Sequence, residues 1–81
     1  MTDIHDEIGR LQMAIDDLVW QCASIEHDVQ NGRSADPRRD GWTALALRSR
    51  TAIVRAMRNE LQTRVARGRF DDPLPPWWTE C

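Results

Sequence analysis

The sequence predicts an all-α protein in which two helices fold into an antiparallel, coiled-coil-like hairpin followed by an extended Pro/Trp-rich C-terminal tail. Apolar residues at alternating spacings of four and three run through the first third of the chain. Glycine and proline then separate this segment from a second one of similar length, and proline and tryptophan dominate the last residues. We therefore expect residues 1–69 to form the hairpin and residues 70–81 to form the tail.

The first helix is predicted over residues 3–30 by a heptad seam, which is the pattern of a helix that packs lengthwise against other helices. Thr2 or Asp3 is suited to cap its first turn, because a short polar side chain can accept hydrogen bonds from the free backbone N–H groups there. Asn31 and Gly32 predict its end. The seam consists of Ile4, Ile8, Leu11, Ile15, Leu18, Cys22, Ile25 and Val29.

The second helix is predicted over residues 37–67. Asp36 can cap it and Pro37 suits its first position, with Asp40 as the later alternative cap. Gly68 predicts its end. Its apolar stripe is broader and less regular than the seam, as in a helix packed within a bundle, and consists of Trp42, Ala46, Leu47, Ile53, Val54, Met57, Leu61 and Val65.

Arg50 interrupts the apolar stripe of the second helix. Because the loop at residues 31–36 is short, the second helix is expected to fold back on the first, which brings Arg50 near Glu26. A partly buried ion pair between them would fix the register of the two helices. The alternative is an arginine whose aliphatic stem covers the core while its guanidinium group reaches water.

Charge is divided unequally along the chain. Residues 1–30 carry a net charge of −6 and residues 41–70 a net charge of +6, although the whole chain carries only −2. Opposite charges on the two segments favour their packing side by side in a hairpin. The alternative is that the acidic and the basic surface serve separate partners.

The chain is too short to bury a large core. With 81 residues, it is expected to bury only about 60% of the surface that its unfolded form exposes. Small scaffolds without disulfide or metal staples commonly gain stability by oligomerisation. We therefore expect a homodimer or higher oligomer, with a dimeric four-helix bundle as the simplest form.

Several apolar side chains have no place inside a single hairpin. Met13 and Trp20 fall at heptad position f, which points away from the seam, and Leu74, Trp77 and Trp78 lie in the tail. Either the tail or a second copy covers the outward residues, or they bind another protein, for which tryptophan is an effective anchor. The tail likewise packs either on its own hairpin or on a partner. These five residues are the predicted partner-binding residues.

The sequence contains no recognisable catalytic, cofactor-binding or metal-binding motif. His5 and His27 have no ligand-type companions at metal-site spacing, and Cys22 and Cys81 are too few for a disulfide framework. No apolar run is long enough to cross a membrane. We expect a reduced cytoplasmic protein that is not an enzyme and has no cofactor or small-molecule substrate.

The predicted function is therefore a non-enzymatic protein–protein interaction module. The alternatives are a nucleic-acid-associated regulator that uses the Arg-rich second helix, and a structural subunit of a larger assembly. All eleven basic residues are arginine, and this is typical of a GC-rich coding genome. That composition favours an actinobacterial or phage origin and suggests a small phage or mobile-element protein that modulates a host protein.

Overall fold

Two long helices pack against each other in the computed structural model, which describes residues 3–80. Helix α1 spans Ile4–Gln30 and helix α2 spans Pro37–Arg67, and a short 3-10 helix spans Pro76–Glu80. Side-chain contacts join the second half of α1 to the first half of α2 and the first half of α1 to the second half of α2, so the helices run antiparallel. The predicted helical hairpin is confirmed. Thr2 and Cys81 lie outside the described residues.

Short stretches of sequence determine where α1 begins and where it ends. The Asp3 carboxylate accepts a hydrogen bond from the backbone N–H of His5 at 3.2 Å and so caps the first turn. At the other end, Asn31 occupies the C-cap and Gly32 follows with a φ of +69°. Glycine suits that left-handed conformation because it has no Cβ. The N–H of Gly32 bonds back to the carbonyl of Val29 and closes the helix.

The ends of α2 follow the same rules. Asp36 accepts a hydrogen bond from the backbone N–H three residues later at 3.1 Å, and Pro37 takes the first helical position. Gly68 ends the helix in the left-handed conformation, with a φ of +65°. Asp40, the alternative cap, accepts a hydrogen bond from the hydroxyl of Ser34 and so ties the loop to α2.

The heptad seam of α1 forms the face that packs against α2. Every seam residue is buried or half-buried, and the most buried is Ile15, with 3% of its surface exposed. The Cys22 thiol lies 3.5 Å from the carbonyl oxygen of Ala44 on α2, where it packs as a small apolar side chain with a weak donor. The apolar spacing of α1 therefore identified its inward face correctly.

The inward face of α2 differs from the predicted stripe. Trp42, Ala46 and Ile53 are exposed, Trp42 to 66%. Eight buried or half-buried residues follow a heptad spacing of their own, which includes three polar side chains; they are Asp40, Ala44, Leu47, Thr51, Val54, Arg58, Leu61 and Val65. Met57, Glu60 and Arg64 are buried or half-buried beside this face. The predicted stripe is therefore correct at Leu47, Val54, Leu61 and Val65 and wrong at its exposed residues, because polar residues complete the inward face.

The predicted Arg50–Glu26 ion pair is also corrected. Glu26 binds Arg48, whose Nη2 lies 2.5 Å from Glu26 Oε1, whereas Arg50 is exposed. Two residues correspond to a rotation of about 200° on a helix. Arg50 therefore points to a different side of α2 from Arg48, and the error follows from the misplaced stripe.

The hairpin is elongated and has a thin core. Its extents are 49 × 21 × 20 Å and its radius of gyration is 16.0 Å, against about 12 Å for a compact chain of this length. Its accessible surface is 6217 Å², about 1,200 Å² more than the roughly 5,000 Å² expected of a folded monomer of this mass. Four apolar residues in the described part of the chain are buried, and they are Ile15, Cys22, Ala44 and Leu61.

Candidate interaction surfaces

One long side of the hairpin carries three adjoining depressions between the two helices, and we call this side the groove face. Small side chains, Ala23 on α1 and Ala52 on α2, line its central depression. Small residues allow another helix to approach closely. The groove face comprises Gln12, Asp16, Val19, Trp20, Ala23, Glu26 and Gln30 of α1 and Gly41, Leu45, Arg48, Ala52, Arg55 and Arg58 of α2.

The Arg48–Glu26 ion pair crosses the upper part of the groove face, which is the part nearer the loop at residues 31–36. The Glu26 carboxylate is also within 3.5 Å of the Cys22 thiol. Hydrogen bonding to the side chains of Cys22 and Glu26 raises the pKa of the Arg48 guanidinium above its ordinary value. The Arg48 side chain is itself exposed, so the ion pair lies at the edge of the helix interface and the guanidinium charge is not buried.

A second polar connection crosses the lower part of the groove face, which is the part nearer the start of α1 and the end of α2. Arg58 Nη1 donates to Gln12 Oε1 at 2.7 Å, and Gln12 Nε2 donates to Asp16 Oδ1 at 3.0 Å. Arg58 occupies an inward heptad position, and its Nε is buried without a hydrogen-bond partner among the described residues. The direct Arg58–Gln12 bond therefore links the two helices at a defined register.

Large apolar side chains on and beside the groove face remain exposed. Trp20 lines its lower depression and Leu45 its upper one, with 72% and 53% of their surfaces exposed. Met13 is 71% exposed on the outer side of α1. Isolated exposed apolar residues are common, but several along one side of a small protein mark an interaction surface.

The tail folds back onto the open end of the hairpin, where α1 begins and α2 ends. Arg64, which is only 7% exposed, donates to the carbonyl oxygens of Asp72 and Pro73, the latter at 2.7 Å, and to the Glu60 carboxylate at 3.2 Å. Buried guanidinium groups need such partners because desolvation is costly. Arg64 thus links the tail to α2.

Apolar residues of the tail surround a depression at this end of the hairpin. Phe70, Leu74 and Trp78 line it together with Ile4 and Leu61 of the helices. The rings of Trp77 and Trp78 stand 5.7 Å apart at an interplanar angle of 43°. The tail residues keep part of their apolar surface open, since Leu74 is 48% exposed.

The predicted partner-binding residues therefore fall into two groups. Leu74, Trp77 and Trp78 lie in the tail, whereas Met13 and Trp20 lie on α1. Met13 is nine residues along α1 from Ile4, about 13 Å of helix. The tail leaves Met13 and Trp20 exposed.

Sequence reasoning missed the groove face itself. Arg48, Ala52 and Arg55 flank the inward positions of α2, and they were recognisable only after that inward face had been assigned. A heptad drawn from Ala44 through Leu47, with polar residues permitted, would have found it. The inward face of α2 is therefore marked by the heptad spacing of its residues, whether apolar or polar, and not by their hydrophobicity.

No other type of site stands out between residues 3 and 80. Within that range no group of three or more His, Cys, Asp or Glu side chains could hold a metal ion. Neither helix combines the length and the apolar character that a bilayer span requires. No protein-family model, curated protein or solved structure matches this chain.

Proposed function

We propose that this chain is a non-enzymatic protein-interaction module that forms a homodimeric four-helix bundle and binds another protein through exposed aromatic residues. The small size of the core is the main support for self-association. A hairpin with four buried apolar residues in its described part and about 1,200 Å² of surplus surface has little with which to stabilise itself alone. A specific protein interface buries about 800 Å² per partner, so the surplus is large enough for one.

Binding of another protein is supported by the exposed residues that a dimer through the groove face need not cover. Met13 lies outside the groove face, and Leu74 and Trp77 lie in the tail. Large apolar and aromatic side chains dominate the energetics of protein interfaces. Trp78 belongs with them, whereas Trp20 lies on the groove face, where a second copy of the chain would contact it.

The uses of arginine favour protein binding over nucleic-acid binding. Arg48, Arg58 and Arg64 are engaged with a carboxylate, an amide and backbone carbonyls of the same chain. A guanidinium group committed to such partners is less available to phosphates. Three of the eight arginines of α2 are thereby used in assembling the hairpin and its tail.

Self-association is tested by sedimentation equilibrium on the full chain over a wide concentration range. We expect a species of twice the 9.4 kDa chain mass and a melting temperature that rises with protein concentration, because dimerisation stabilises by mass action. A monomer at every concentration, with a concentration-independent melting temperature, would overturn the self-association.

Partner binding is tested by affinity capture with matched variants. The double variant Trp77→Ala/Trp78→Ala and the single variant Met13→Ala should lose any protein that the unaltered chain retains. Ser24→Ala, an exposed change elsewhere on α1, should retain it. Equal recovery by all four chains would show that these residues do not anchor a partner.

A further inference from the structure

We infer that the groove face is covered by a second copy of this chain, related by a two-fold axis that runs parallel to the long axis of the hairpin. Helix α1 of each copy then lies on α2 of the other. The inference rests on the self-association proposed above and adds the face, the symmetry and the residues in contact.

The groove face suits another pair of helices better than the opposite side of the hairpin does. It combines exposed apolar residues, Val19, Trp20 and Leu45, with the small residues Ala23 and Ala52 between them. The opposite side carries exposed charges along both helices, among them Arg10, Asp17 and Arg50. Burying those charges would require a partner for each of them.

The charges along the groove face select the symmetry. Its α1 edge is acidic, with Asp16 and Glu26, and its α2 edge is basic, with Arg48, Arg55 and Arg58. A two-fold axis across the helices would stack α1 on α1 and bring carboxylates together. An axis along the helices stacks α1 on α2 and matches acid to base, and like-charge juxtaposition at an interface is costly.

This axis also predicts a specific contact. A rotation about the long axis keeps every residue at its own height along the hairpin. Asp16 and Arg55 line the same depression from opposite helices, so Asp16 of one copy faces Arg55 of the other, twice in the dimer. Both residues are exposed in the single chain, and Asp16 accepts its hydrogen bond from Gln12 through Oδ1, which leaves Oδ2 for the second copy.

Charge reversal tests the contact. The variants Asp16→Arg and Arg55→Asp, each alone, should weaken the dimer at least tenfold as measured by sedimentation, because each places two like-charged pairs in the interface. An equimolar mixture of the two variants should form a heterodimer close to the original affinity, since both of its facing pairs are again of opposite charge.

The mixture separates contacts between chains from those within one chain. An Asp16–Arg55 interaction inside one hairpin would leave both variants impaired after mixing, and that result would overturn the proposed axis.

The matched controls Asp17→Arg and Arg50→Asp make the same charge changes on the opposite side and should leave the affinity unchanged. A dimer that responds to these controls and not to the groove-face variants would overturn the choice of face while retaining self-association. A chain that remains monomeric without any variant overturns both proposals.

Discussion

The two helices of the hairpin contribute very different side chains to the same interface. Helix α1 presents an uninterrupted apolar seam, whereas α2 presents a heptad in which Asp40, Thr51 and Arg58 stand among apolar residues. Each polar residue has a hydrogen-bond partner, on the loop, on the backbone of α2 or on α1 respectively. The comparison teaches that α1 contributes only apolar area on its seam, while α2 combines apolar area with polar groups, of which Arg58 bonds across the interface to Gln12.

Shortening a side chain of the α1 seam should give the largest effect. Ile15→Ala removes apolar atoms at the most buried apolar position among the described residues and leaves a cavity against α2. We expect the free energy of unfolding to fall by roughly 2–4 kcal/mol, measured by urea denaturation at fixed protein concentration. Met13→Ala, at an exposed position of the same helix, should change it by less than about 0.5 kcal/mol. Equal losses from both variants would contradict the assignment of the seam as the inward face.

Removing the buried arginine of α2 should have an intermediate effect. Arg64→Met keeps most of the apolar stem but leaves the carbonyls of Asp72 and Pro73 without their donor. We expect a loss of about 1–3 kcal/mol and faster hydrogen exchange in the tail, measured by mass spectrometry, with exchange near Cys22 unchanged. Arg67→Met, an exposed change in the same turn of α2, is the matched control. An unchanged exchange rate in the tail would show that Arg64 does not hold it.

Replacing a polar residue of the α2 heptad that bonds only to its own helix should have the smallest effect. The Thr51 hydroxyl donates to the Leu47 carbonyl at 2.7 Å, so it makes no link to α1. Thr51→Val should therefore stabilise the protein slightly, by up to about 1 kcal/mol, as a shift in the urea midpoint. A loss of stability would contradict this expectation and would mean that the Thr51 hydroxyl group stabilises the packing of α2 on α1.

The boundaries of the helices depend on features that are visible in short stretches of sequence. Asp3 and Asp36 cap the two helices, and the glycines at 32 and 68 adopt the left-handed conformation at which the chain leaves them. Such features are set by the backbone preferences of a few neighbouring residues. The inward face of α1 was equally predictable, because nothing polar interrupts it.

The candidate site was predictable only in part. Met13 and Trp20 were recognised as outward-facing from their heptad position, and both are exposed. Arg48 was not recognised as the partner of Glu26, because the stripe of α2 was drawn through Trp42 and Ile53, which are exposed. Hydrophobic periodicity identifies an inward face only when that face is apolar.

By itself, therefore, the sequence determined two capped helices, the inward face of the first, the division of charge between them and an excess of apolar residues over the space inside one hairpin. Only the tertiary structure decided which face of α2 packs inward, which arginine meets Glu26, and that Arg64 is buried beneath the tail. The physical reason is that a buried guanidinium group, such as that of Arg58 or Arg64, needs a hydrogen-bond partner, which here a distant part of the chain supplies. That partner is a property of the assembled hairpin and not of the local sequence.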